Sequence, residues 1–182
     1  RRTGIPFFTT QMGKGTVPGG TNLYMGTAAL SERDYVHDAI DAADLIVAIG
    51  HDPIEKPPFI MGPSGPKVIH VSYTSASVEQ VYFPDAEVVG DVGPSLELLA
   101  DRLEGKLPQA AALLPLREEI LRHIADRATE ARWPPTPQPI VHDIRQVIPE
   151  NGIVALDNGM YKIWFARNYR TRVANTLLLD NA

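Results

Sequence analysis

The sequence predicts an α/β fold built on a parallel sheet, and three observations carry that expectation. The run Leu45-Ile46-Val47-Ala48-Ile49 is apolar without alternation, so both of its faces must be covered, as in a helix-flanked parallel sheet. It stops at a glycine and turns polar at once, in Gly50-His51-Asp52-Pro53. The same handover recurs after residues 67–71 and 87–89, where Gly, Ser or Asp follows the aliphatic run, and helical patterns alternate with the runs. In open α/β sheets ligands bind outside the carboxyl ends of the strands. Any small-molecule site should therefore be lined by residues 50–53.

Composition narrows the class. The 182 residues are 44% hydrophobic and 21% charged, values of an ordinary globular protein, and no apolar run approaches the roughly 20 residues that span a bilayer. A formal charge of -5 speaks against nucleic-acid binding, because the basic group Arg167, Arg170, Arg172 is small. Without cysteine there is no disulfide, thiolate nucleophile or Cys-ligated metal, which suits a cytoplasmic protein. The five histidines are scattered, so no metal site is expected. No apolar stretch of the signal-peptide type follows Arg1-Arg2. A β-prone run begins almost immediately, as in a chain cut inside a domain.

In chain order, residues 5–10 form a short strand near Pro6. The loop at 11–20 contains Gly13-Lys14-Gly15-Thr16 but lacks the spacing of a phosphate loop. It is either a backbone approach to a ligand or a flexible connection. Ser31 caps a helix with Asp34 in its first turn, on which Tyr35, Val36, Ala39, Ile40 and Ala43 form the apolar face and His37 and Asp38 face solvent. Pro57, Pro58, Pro63 and Pro66 keep residues 54–67 irregular, with Glu55 and Lys56 exposed. Pro94, at the first helical position, starts a helix over 95–103 that buries Leu96, Leu98, Leu99 and Leu103 and ends at Gly105. Residues 107–132 are mostly one helix starting in earnest at Pro115, with Leu116, Ile120, Leu121 and Ile124 inward and Glu118, Glu119, Arg122 and Arg127 outward. The proline-rich run 132–139 reads as a linker. A helix at 139–148, strands at 153–156 and 176–179, and a helix at 160–169 follow. So short an α/β piece is expected to be an incomplete second domain. The organisation expected is a central unit over 1–106, a helix and linker over 107–138, and the opening of another domain over 139–182.

Taken in order, the punctuating motifs resemble the acetolactate synthase branch of the thiamine-diphosphate-dependent enzymes. Thr9-Thr10-Gln11-Met12-Gly13-Lys14-Gly15 is similar to that family's Thr-Thr-x-Met-Gly-x-Gly, and residues 43–50 to its Ala-Asp-Leu-x4-Gly. His51-Asp52-Pro53-Ile54-Glu55 resembles the Tyr-Asp-Pro-Ile-Glu of catabolic members, whereas the first motif is closer to biosynthetic ones. Gly90-Asp91-Val92 and Asp157-x-Gly159-x4-Trp164 fall in the family's order. Ser72 and Thr74 stand where an acidic pair is common, and Met160-Tyr161 where a Gln-His pair is common.

The resemblance implies a Rossmann-like, dinucleotide-binding-type central domain followed by the start of the pyrophosphate-binding domain. By position it assigns FAD contacts, in a non-redox role, to Thr10, Gln11, Met12, Gly50, His51, Asp52, Pro53, Asp91 and Val92. Gly159, Met160 and Tyr161 are its candidates for lining thiamine diphosphate. It implies Mg2+ on the diphosphate, pyruvate and a second 2-oxo acid as substrates, and a homo-oligomer. No catalytic residue is assigned here, because the resemblance places the family's activating glutamate in an earlier domain and its diphosphate motif in the part of the pyrophosphate-binding domain expected beyond residue 182. The chain alone is therefore expected to be inactive. Three alternatives stay open: a related 2-oxo-acid decarboxylase or carboligase; a non-catalytic nucleotide-binding or assembly module; and plain fold support, with Asp91 beginning a helix and Trp164 packing a core.

Overall fold

A computed structural model describes residues 2–28, 35–51, 64–76, 83–107 and 113–179. Every strand pair among the described residues is parallel, so the α/β class holds. The order is β1 (Phe7–Thr10), β2 (Tyr24–Ala28), α1 (Tyr35–Asp41), β3 (Leu45–Ile49), β4 (Lys67–Ser72), β5 (Ala86–Val89), α2 (Val92–Leu103), α3 (Leu114–Ala125), α4 (Pro137–Val147), β6 (Val154–Leu156), α5 (Met160–Asn168) and β7 (Leu177–Leu179). These strands form three sheets, β1-β2, β3-β4-β5 and β6-β7.

The first buried cluster joins two of the sheets. Met25 and Ala28 of β2, Val36, Ala39 and Ile40 of α1, Ile46 and Ala48 of β3, Val68 of β4 and Ile120 of α3 pack together. Gly26, at φ +119, lets α1 and α3 close over β2, since a Cβ there would lie 3.2 Å from Val36 Cγ2 and 3.4 Å from Ile120 Cγ2. Arg117 of α3 donates to the carbonyls of Tyr24 (3.1 Å) and Thr21 (3.3 Å). In the second cluster Val141 of α4, Val154 of β6, Phe165, Ala166 and Tyr169 in and after α5, and Leu177 and Leu179 of β7 are buried, with Trp164 packed against them.

Several expectations are corrected. β2 was not foreseen; its glycine and neighbouring Thr obscure the pattern, yet all five residues are buried. Covering on both faces of β3 is not observed: Ile46 and Ala48 are buried, but Leu45 and Ile49 are 44% and 49% exposed, because α1 covers one face only. β5 is an edge strand exposed along its length. None of the leucines of α2 is buried, since that helix touches the sheet only sparsely, at its central strand β4. His37 is buried, not solvent-facing, because α1 is flanked by both β2 and α3. Asp38 is exposed as expected. The helix at 95–103 begins earlier, at Val92, with Pro94 third in it and Asp91 as the cap. α3 stops at Ala125, short of 132, and Arg127 takes φ +56 just beyond. Pro137 and Pro139 belong to α4, where the first turn needs no donors from them, so the extended part of the run ends at Thr136. Ser31, Asp34, Glu55, Lys56, Pro57, Pro58 and Pro63 lie outside the described residues.

Candidate functional site at the carboxyl edge of the sheet

The β3-β4-β5 ladder runs one residue past each outer strand. Gly50 N donates to Val71 O (2.9 Å) and Gly90 N to Ser72 O (2.9 Å), which fixes both glycines on one edge, on either side of β4. Gly50 sits at φ +58 and Gly90 at φ +157, conformations open to glycine at little cost, and a Cβ on either would meet nothing within 4 Å. The edge is thus bare of side chains at two points, where a ligand can approach the backbone.

Asp91 follows Gly90 and caps α2. Its Oδ1 accepts from Gly93 N (3.1 Å) and its carbonyl from Ser95 Oγ (2.6 Å) and Ser95 N (3.2 Å). Val92, half-buried, is the first helical residue, so the positive end of the 12-residue helix opens onto the same edge. His51 is half-buried beside Gly50; Asp52 and Pro53 lie outside the described residues. The loop beyond β4 is held by Glu87, whose Oε1 accepts from Ala76 N (2.6 Å), and by His70 Nε2, 3.1 Å from Thr74 O. The register therefore brings Gly50, His51, Asp91 and Val92 to one edge.

Thr10, Gln11 and Met12 leave a different sheet, β1-β2, which shares the first core with β3 but is not paired to it. Thr10 Oγ1 accepts from Gly13 N (3.2 Å), which turns the chain, and Met12 is exposed. Gln11 is 3% exposed and neither atom of its amide has a hydrogen-bond partner among the described residues. Such an amide is costly to bury unless something bonds it. Gly159, Met160 and Tyr161 belong to the second cluster, at the start of α5, with Met160 and Tyr161 exposed. These two groups are not joined to the β3-β5 edge by any strand pairing.

Sequence reasoning missed the polar core of the first loop. Lys14 is 6% exposed, with Nζ 3.4 Å from Tyr24 Oη and 5.8 Å from the centre of its ring. Tyr24 Oη lies 2.7 Å from Thr27 Oγ1, which lies 3.1 Å from Thr9 Oγ1. Burial pushes the Lys14 amine below its ordinary pKa. Burial acts to raise Tyr24, but the Lys14 charge and hydrogen bonds with Thr27, Thr9 and Lys14 outweigh it and hold the phenol below its usual value. Gly15 N-terminal to Thr16, at φ +91, lets this loop meet β7: its carbonyl accepts from Asn175 N (2.7 Å), and Gly19 N donates to Thr171 O (3.0 Å). Residues 15 and 19 are therefore held by backbone hydrogen bonds to residues 175 and 171, which does not fit the reading of a flexible connection. Buried Lys162, whose Nζ donates to Asn158 Oδ1 (2.9 Å), was also missed. A lysine between two glycines was the available signal for Lys14; nothing in the sequence marked Lys162. No group of acidic and histidine side chains able to hold a metal occurs among the described residues.

Comparison with known proteins fits this architecture. Residues 1–99 match the family model described as thiamine pyrophosphate enzyme, central domain. The chain is 33% identical over 144 residues to the catabolic acetolactate synthase of Raoultella terrigena, an alignment covering 76% of the chain and 26% of that protein. It is 25% identical over its whole length to an acetolactate synthase of Bacillus subtilis, covering 33% of it. A probable acetolactate synthase large subunit of Methanocaldococcus jannaschii is 26% identical, over 96% of the chain and 31% of that protein. The chain thus spans between a quarter and a third of these relatives. With a parallel α/β sheet of Rossmann-like form beneath the match, the chain belongs to the thiamine pyrophosphate enzyme family, on its acetolactate synthase branch, and residues 1–99 carry the family's central domain.

Proposed function

We propose that these residues form the cofactor-supporting part of a thiamine-diphosphate-dependent carboligase that decarboxylates pyruvate and transfers the two-carbon unit to a 2-oxo acid. The observation that carries the reading is the edge itself: two side-chain-free glycines flanking β4 and a capped helix N-terminus beside them, in a chain related to acetolactate synthases. That arrangement fits a nucleotide, whose diphosphate is stabilised by a helix N-terminus and whose flat rings approach bare backbone. Gly50, His51, Asp91 and Val92, with Asp52 and Pro53, would hold FAD there, and Thr10, Gln11 and Met12 would extend the site. The unpartnered Gln11 amide supports a polar group of the ligand beside it.

Gly159, Met160 and Tyr161 would line thiamine diphosphate from a second domain, with its Mg2+ held elsewhere. Thiamine diphosphate supplies the electron sink, while the protein orients it. The domain division at 107–138, a homo-oligomeric assembly and a cytoplasmic location belong to the same proposal. So does inactivity of residues 1–182 alone, since the family's activating glutamate would belong to an earlier domain.

Gly50→Asn tests the flavin assignment. Asparagine tolerates φ +58, so the fold is kept, but its side chain enters the open space above the edge. In the full-length protein, flavin absorbance on titration should show FAD affinity lowered by about tenfold or more, corresponding to ~1.4 kcal/mol, at unchanged melting temperature. Normal FAD affinity in this variant would overturn the assignment, and absence of acetolactate from pyruvate in the full-length holoenzyme would overturn the reaction.

A further inference from the structure

At the junction of the two clusters, the end of α3, one face of α4 and residues 168–172 line, with Gly19 and Gly20, an open cavity of about 630 Å3. That is the size of a small-molecule site. Its charge is opposite to that of the chain. Three guanidiniums, Arg145, Arg170 and Arg172, and the imidazole of His142 line it, against the single carboxylate of Glu150, in a protein of formal charge -5.

The three arginines are not equally matched. Arg172 Nη1 lies 3.2 Å from Glu150 Oε1 and is paired. Arg145, 5% exposed, meets only neutral acceptors: Tyr169 Oη (2.6 Å), Pro149 O (2.9 Å) and Ile148 O. Burial holds the Tyr169 phenol above its ordinary pKa despite the nearby Arg145 and Arg172, so it supplies no counter-charge. Arg170 is exposed and makes no hydrogen bond or ion pair among the described residues. Asp143, next to His142 at 3.3 Å, is exposed on α4 and does not line the cavity. Arg145 is therefore a buried charge without a carboxylate partner among the described residues, an arrangement that costs stability unless an anion offsets it, and Arg170 is a solvated guanidinium with its donors open to a ligand at the same cavity. Guanidinium forks match phosphate oxygens with two parallel hydrogen bonds, and a multiply charged group offsets more than one of them.

We propose that this cavity is an anion site for a diphosphate-bearing small molecule, held by Arg170 and by the field of Arg145, with Gly19 and Gly20 closing it from the first cluster. It is separate from the β3-β5 edge and does not rest on the carboligase reading. Because its walls come from both clusters, occupancy stabilises their contact by mass action.

Calorimetric titration of the full chain with inorganic pyrophosphate tests the proposal. The expected result is saturable binding that weakens as salt is raised, together with a higher melting temperature. Arg170→Ala, which breaks no hydrogen bond or ion pair among the described residues, should weaken binding by about tenfold or more and abolish the thermal shift without lowering the melting temperature of the free protein. Arg122→Ala, on an exposed part of α3 outside the cavity, should bind like the original chain. Displacement of pyrophosphate by FAD or thiamine diphosphate would assign the diphosphate to a cofactor, and failure of both to displace it would assign it to a separate effector; either supports the site. Absence of saturable pyrophosphate binding, or equal affinity in Arg170→Ala, would overturn it.

Discussion

Lys14 is the residue whose chemistry departs furthest from what its neighbours in sequence suggest. It is buried against a phenol, with no carboxylate partner among the described residues, and both groups titrate below their ordinary values. The unfolded chain therefore binds more protons than the folded one over the window from the lowered folded pKa values up to about 10–10.5, and stability rises with pH across it. Lys14→Met, which keeps the volume and removes the charge, should stabilise the protein by about 1 kcal/mol or more at neutral pH. The gap between variant and original should shrink as pH approaches 10. Denaturant unfolding at several pH values checks both statements; a gap independent of pH would refute the titration.

Among the elements, α2 shows how a cap replaces packing. No residue of this helix is buried, so its start depends on Asp91, which satisfies the Gly93 amide and places its carboxylate at the positive end of the helix. Asp91→Ala should cost about 1 kcal/mol, read as a lower denaturant midpoint, whereas Asp91→Asn should cost much less because its amide oxygen still caps. Strand β2 is the contrasting element, buried throughout and crossed by α1 and α3. Gly26→Ala forces a Cβ to 3.2 Å from Val36 Cγ2 at a φ of +119, and should destabilise by roughly 1–3 kcal/mol, measurable by thermal unfolding.

For the whole molecule, the two clusters are tied by two backbone hydrogen bonds and one from a side chain. Asn175 N to Gly15 O, Gly19 N to Thr171 O and Asn168 Nδ2 to Ile124 O (2.8 Å) link them. Gly15→Ala would bring a Cβ to 3.2 Å from Leu177 O, at φ +91, and loosen this seam. Amide exchange should then quicken at 175–177 and 15–19, while protection at Ile46, Val68 and Ile120, deep in the first cluster, stays as before. Equal loss of protection in both clusters would show that the seam is not a boundary of cooperative unfolding.

The sequence by itself determined the α/β class, six of the seven strands among the described residues and the glycine-ended edge, because buried aliphatic runs, helix periodicity and glycine stops are written in consecutive residues. It was also enough, through motifs in order, to indicate the family. Which face of β3 is covered, that His37 points inward, that β2 is a core strand and that Lys14 is buried against Tyr24 were decided only by tertiary structure. Each depends on an element distant in sequence closing over it, α3 above all, and local pattern holds no record of that contact. The edge glycines could be named from the sequence; that Gly50 and Gly90 flank one strand, with the α2 N-terminus beside them, follows from the register of β4 alone.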